Sequence, residues 1–119
     1  VDKYVSGKYS GKVDVQMFKG DIYKNIYKTN RKYNYIDLDT INALTDDHID
    51  KIIDVAHFSM ASKGVLSITH MHRNMTKEKV VKNVGKLIDR LQMHKKVKYH
   101  HHYRYFNTAF AYRDTFVFG

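Results

Sequence analysis

Residues 97–119 read VKYHHHYRYFNTAFAYRDTFVFG, and the way this stretch folds decides the architecture. Two runs rich in aromatic and β-branched residues, 97–106 and 109–118, flank Asn107-Thr108, which has the length and polarity of a two-residue hairpin loop. A loop of that length sets a register, with Tyr105 opposite Phe110, Tyr103 opposite Tyr112, His101 opposite Asp114 and Tyr99 opposite Phe116. Alternation then sorts the side chains. One face is aromatic, with Val97, Tyr99, Tyr103, Tyr105, Phe110, Tyr112, Phe116 and Phe118. The other carries Lys98, His100, His102, Arg104 and Arg113. On this register the aromatic face is the floor of the core, and His101 with Asp114 is a satisfied polar pair inside it. The basic face meets solvent.

Working outward, residues 75–95 repeat apolar side chains at helical spacing (Val80, Val84, Leu87, Ile88, Leu91) behind a cap at Asn74 or Thr76. Lysines and Arg90 fill the remaining face. Before them, 65–71 is a compact strand with Leu66, Ile68, His70 and His72 on one side. A further helix starts at Thr45-Asp46-Asp47, carries Ile49, Ile52, Ile53, Ala56 and Met60, and stops at Lys63-Gly64. A short helical lead-in is expected over 39–44. Residues 31–38 alternate as a strand, with Ile36 and Leu38 on one face and Tyr33 and Tyr35 on the other. Residues 22–29 read as a strand or a helical turn, Gly20-Asp21 as a turn, and 12–18 as a strand. The expected fold is therefore α+β. A small antiparallel or mixed sheet carries two amphipathic helices on one face and ends in a C-terminal β-hairpin, all within a single domain spanning 1–119.

Composition narrows the partners. The 119 residues carry 21 lysines and arginines against 12 acids, a formal charge of +9, with eight histidines in reserve. Such an excess favours polyanions, nucleic acid before an anionic membrane. Without cysteine there is no disulfide, thiolate zinc site or cysteine nucleophile. No apolar run approaches transmembrane length, and the first residues do not resemble a signal peptide, so an intracellular, cytoplasmic setting is expected, the host cytoplasm for a viral product.

The cationic hairpin face is the leading candidate site, with Lys98, Arg104 and Arg113 as phosphate contacts joined by His100 and His102 at low pH. A second candidate is His70-Met71-His72, where two histidines one residue apart on a strand point the same way and can share one metal ion. This pattern resembles the metal-binding motif of HUH-type endonucleases, the rolling-circle replication initiators and relaxases. The resemblance covers about three residues. It implies a divalent ion, Mn or Mg, at His70 and His72, and a tyrosine that attacks the DNA phosphodiester. That tyrosine usually sits on a helix after the motif; here the helix has none, and the next tyrosines, Tyr99 and Tyr103, fall on a strand. The glycines of SGKYSGK lack P-loop spacing, and Asp46, Asp47, Asp50 and Asp54 read as a solvated helix face.

The resulting expectation is a small basic nucleic-acid-binding protein of a phage, plasmid or other mobile element. The enzymatic alternative is a metal-dependent nicking endonuclease. The third is a protein-interaction or virion structural subunit with a protein partner, and a sheet edge offers a route to a homodimer.

Overall fold

The computed structural model describes residues 19–40, 42–104 and 110–119. The strand expected over 12–18 and the Asn107-Thr108 loop lie outside these residues. Residues 22–29 form the helical alternative, a short helix α1 (Ile22–Asn25) that runs into a 3-10 turn (Ile26–Thr29). Strand β1 (Tyr33–Asp39) follows, then helix α2 (Asp46–Ser59), strand β2 (Met60–Met71), helix α3 (Lys77–Gln92), and strands β3 (Val97–Arg104) and β4 (Ala111–Phe118). The expected α+β class holds, with a mixed sheet in the order β1-β2-β4-β3. Strand β1 pairs parallel with β2, whereas β4 runs antiparallel to both β2 and β3.

Both long helices start where side-chain caps occupy otherwise orphaned amides. Thr45 accepts from the His48 amide, and Thr76 from the Lys79 amide. Their apolar stripes pack on one face of the sheet. Ile49, Ile52, Val55 and Ala56 of α2 and Val80, Leu87 and Leu91 of α3 are buried with Leu38, Leu66, Ile68 and Phe116 of the strands. Arg90 of α3 pairs with Asp50 of α2, and Lys86 Nζ lies 3.7 Å from Asp46, tying the helices together on their solvent side.

Two local expectations change. Helix α2 ends at Ser59 and not at Gly64, because Met60 turns extended (φ −92°, ψ 136°) and its fully buried side chain opens a twelve-residue strand. Gly64 serves a different purpose there. A Cβ at this position would sit 2.5 Å from the Asn34 carbonyl oxygen, so only glycine lets β1 approach this closely, next to the register shift between Tyr33 and Tyr35. The lead-in helix does not form among the described residues of 39–44, where backbone groups serve β2 instead. The Thr40 amide donates to the Thr69 carbonyl (3.1 Å), and the Met71 amide to the Asn42 carbonyl (3.2 Å).

The largest change is in the hairpin. Tyr99 faces Val117, His100 faces Phe116, His101 faces Thr115, His102 faces Asp114 and Tyr103 faces Arg113. Each pairing is displaced by one residue from that of a two-residue loop. Because strand side chains alternate, a one-residue slip carries every side chain of β3 to the other face relative to β4. On the helix side, Leu66, Phe116 and His100 form one cross-strand row, and Ile68, Asp114 and His102 the next. On the open side, Tyr35, Val65, Val117 and Tyr99 form one row, and Asp37, Ser67, Thr115 and His101 another.

Candidate functional site

Strand β2 keeps its inward parity to the end and one residue past it, so the last core positions there are His70 and, just beyond the strand, His72, 0% and 2% exposed. The corrected hairpin register brings Asp114, fully buried, beside them from β4, and His100 and His102 from β3. The five side chains form one network. Asp114 Oδ2 lies 2.6 Å from His70 Nε2, and Oδ1 lies 2.7 Å from His100 Nε2 and 2.9 Å from His102 Nδ1. His70 Nδ1 is 2.6 Å from His72 Nε2. The aromatic residues of β4 hold the imidazoles flat. Tyr112 stacks between His70 and His102, and Phe116 stacks under His100.

A buried carboxylate costs several kcal/mol unless it is paired and hydrogen-bonded. Burial pushes the Asp114 carboxyl up. Hydrogen bonds from His70 and His100 and the nearby His102 outweigh burial and hold it below its ordinary value. Asp114 is thus ionised and acts only as acceptor, which places a proton on each facing nitrogen, His70 Nε2, His100 Nε2 and His102 Nδ1. Burial, then the neighbouring His70, lowers His72 to about 4, so it is neutral at physiological pH.

This arrangement revises several sequence-derived assignments. His101, expected inward against Asp114, is exposed on the open face beside Tyr103. His100 and His102, expected on the solvent face, turn inward to Asp114. Arg113 is on the opposite face of the sheet from them, with Nη2 3.1 Å from Asp37 and Nη1 2.9 Å from Thr69 Oγ1. Lys98 and Arg104 are exposed, but the five proposed phosphate contacts do not share a face. Tyr99 and Tyr103, 57% and 38% exposed, lie on the open side, across the sheet from His70 and His72.

The two histidines of the metal expectation lie in the same network. Among the described residues, no three His, Asp or Glu side chains are arranged to hold an ion. The 2.6 Å contact between His70 and His72 is a hydrogen bond. Two imidazoles each bound 2.0–2.1 Å from one ion keep their nitrogens roughly 3 Å apart. As placed, these two histidines share a hydrogen bond within the buried network.

A second feature comes from topology. Strands β1, β2 and β3 all run the same way, since β2 and β3 are both antiparallel to β4. Their carboxyl ends therefore meet at one edge of the sheet, the edge at which open α/β sheets bind ligands. Backbone bonds knit the loops there. The Asn42 carbonyl accepts from Met71, and the Phe110 carbonyl from His72 (2.8 Å). Beyond β1 lies a polar cleft whose walls include Asp21, Tyr23, Asp39, Thr40, Asn42 and His48. His48 Nδ1 donates to the Ala43 carbonyl (2.8 Å), which leaves Nε2 to accept from the Tyr23 hydroxyl (2.6 Å). Burial lowers His48, and burial with the Asp21 charge raises Tyr23, so both are neutral. Beyond β2 lies a second cleft, lined by His72, Arg73, Asn74, Met75, Thr76 and Phe110, with the Arg73 guanidinium 5.1 Å above the Phe110 ring.

Sequence reading missed His48, Arg73 and Phe110 as site residues. His48 carried a signal, being a polar residue one position before the buried stripe of α2. The pairing of Arg73 with Phe110 spans 37 positions and left none. No helix among the described residues is long and apolar enough to cross a membrane. Comparison with protein-family models, with curated proteins and with solved structures finds no match to this chain.

Proposed function

We propose that this chain binds nucleic acid, and that it does so at the carboxyl edge of β1 and β2 and not on the hairpin face. The observation that carries this reading is Arg73 over Phe110 beside His72, where a strand end, a cation and an aromatic ring meet in one cleft. A guanidinium supplies the phosphate contact and the ring a stacking surface for a base. The neighbouring cleft suits a different part of the ligand. Its carboxylates, Asp21 and Asp39, repel phosphate but accept from sugar hydroxyls and base amino groups, as do Thr40 and Asn42. The net charge of +9 supplies the long-range attraction. The hairpin is the weaker candidate because His100, His102 and Arg113 are committed to Asp114, Asp37 and Thr69.

Fluorescence anisotropy with a labelled single-stranded oligonucleotide tests this directly. Affinity falls steeply with salt. Arg73→Ala and Phe110→Ala each weaken binding by roughly tenfold, the scale of one base stack or phosphate contact. Lys98→Ala and Arg104→Ala leave it within about twofold, since lone exposed cations contribute little. The opposite pattern returns the site to the hairpin, and no retention at low salt ends the nucleic-acid reading.

A further inference from the structure

The sheet ends in two strands of opposite charge. Among the described residues β1 and β3 are its outer strands. Strand β1 carries Asp37 and Asp39 and no cation, whereas β3 carries Lys98, Arg104 and three histidines and no acid. An outer strand presents backbone donors and acceptors that a further strand can extend, and its charged side chains decide which strand that can be. Two β1 strands side by side, or two β3 strands, bring like charges together, whereas β1 beside β3 brings opposite charges together. Direction agrees with this choice. Strands β1 and β3 run the same way. A second copy set alongside in the same orientation therefore lays its β1 parallel to β3 and keeps both helix layers on one side. The open-face rows then run on from one copy into the next. The row of Tyr35, Val65, Val117 and Tyr99 ends on a tyrosine at both margins, 56% and 57% exposed. The row of Asp37, Ser67, Thr115 and His101 ends on a carboxylate at one margin and an imidazole at the other. Asp37 keeps 40% of its side chain in water beside its contact with Arg113, and His101 is exposed.

We propose that this chain assembles head to tail with further copies of itself, β3 of one copy pairing in parallel with β1 of the next. In the register that continues the rows, Tyr99 lies beside Tyr35 of the neighbouring copy, and His101 beside its Asp37. Aromatic pairs and pairs of opposite charge are the cross-strand combinations that stabilise a sheet. A displacement by two residues, the smallest that keeps the faces matched, gives up the aromatic pair or the carboxylate–imidazole pair. The contact is heterologous. Each copy binds with one margin and offers the other to the next, so assembly continues past a dimer. Sheet twist rotates every copy relative to the last, which winds the assembly into a helical filament or closes it as a ring. The net charge of +9 opposes association at long range. At about 0.15 M salt the screening length is about 8 Å, which suppresses repulsion between whole copies and leaves the contact pairs in force. No nucleic acid is needed for this assembly, so it stands apart from the function proposed above.

Sedimentation velocity of the full chain, freed of nucleic acid, tests the proposal at about 0.15 M salt and from about 10 μM to about 1 mM protein. The mean size is expected to rise with concentration beyond that of a dimer. A monomer throughout the range overturns the proposal, and so does a plateau at the dimer, which a symmetric contact would give. His101→Asp blocks the β3 margin alone, by setting two carboxylates against each other. By itself this variant stays monomeric. Added as a small fraction to wild type, it shortens the assemblies, because its intact β1 caps their growing ends. Assemblies whose size the variant leaves unchanged overturn the pairing. Asp37→Lys blocks the β1 margin in the same way. An equal mixture of the two variants assembles again, since the introduced lysine of one meets the introduced aspartate of the other. Failure of that mixture, with both variants folded by circular dichroism, overturns the assigned register. Asp37→Lys also loses the contact with Arg113, so if it does not fold, the capping titration with His101→Asp decides the matter.

Discussion

Replacing Asp114 by asparagine removes the charge at the centre of the histidine network while keeping the shape. The wild-type carboxylate accepts from His70, His100 and His102 at 2.6–2.9 Å. A carboxamide offers one oxygen and turns an NH2 group toward a nitrogen that already bears a proton. At least one hydrogen bond becomes a donor–donor contact, and the others lose their charge assistance. Hydrogen bonds to charged groups contribute about 1.5–3 kcal/mol each, and breaking a buried ionic contact costs about 3–5 kcal/mol. We therefore expect Asp114→Asn to cost roughly 3–5 kcal/mol of a total near 5–15 kcal/mol. The corresponding fall in Tm is roughly 10–20 °C. Urea and thermal unfolding followed by circular dichroism provide the assay. Thr115→Ala is the control, since its side chain on the opposite face bonds only to Ser67 among the contacts described, and it should cost about 1 kcal/mol. A change within 1 kcal/mol for Asp114→Asn would refute the view of Asp114 as the organising acceptor.

Stability should also depend on pH in a defined window. His72 is held at about 4 in the folded protein against an ordinary 6.5, so the unfolded chain binds its proton first. Its contribution is complete above pH 6.5 and is lost as pH falls toward 4, on the order of 3 kcal/mol in total. Asp114, held below its ordinary value, adds a further loss below about pH 4. Urea midpoints that are flat between pH 7 and 4 would contradict the His72 contribution, and midpoints that stay flat below pH 4 would contradict that of Asp114. Two glycine substitutions should move stability in opposite directions. Gly64→Ala forces a Cβ onto the Asn34 carbonyl and costs roughly 1–3 kcal/mol, whereas Gly85→Ala in α3 meets nothing within 4 Å and gains roughly 0.5–1 kcal/mol. Tyr23→Phe strips the donor from His48 and should cost about 1–2 kcal/mol in the same unfolding assay.

Much of the fold was legible because it depends on period and caps. The stripe from Val80 to Leu91, the Thr45 cap, and the alternation of Ile36 and Leu38 each state their structure locally. The site was less legible because it depends on parity across a gap. Nothing in residues 97–119 distinguishes the two registers by local propensity. The choice is made by which set of side chains the sheet can bury, and that includes His70 and His72 from another strand. Reading the tail alone favoured burying four tyrosines. The structure still buries Asp114 but sets His100 and His102 against it in place of His101, leaving Tyr99 and Tyr103 in water. Where Met60 turns from helix to strand was also hidden, since Met60 suits both periods and Gly64 resembles a helix stop until β1 is seen against it.

The displaced register carries a consequence for how this protein can vary. Turns between strands usually tolerate gain or loss of residues more readily than any other part of a fold. Here the pairing of β3 with β4 decides whether His100 and His102 share the face of Asp114 or whether His101 does, with Tyr99 and Tyr103 on either side of it. A shift of one residue would leave the carboxylate with a single imidazole between two phenol rings, while a shift of two would keep His100 or His102 on its face. The connection is thus free to drift in composition but constrained to an odd or even count. Related chains that preserve the histidine network should differ in this turn by pairs of residues, or should compensate a single change with a bulge elsewhere in the hairpin.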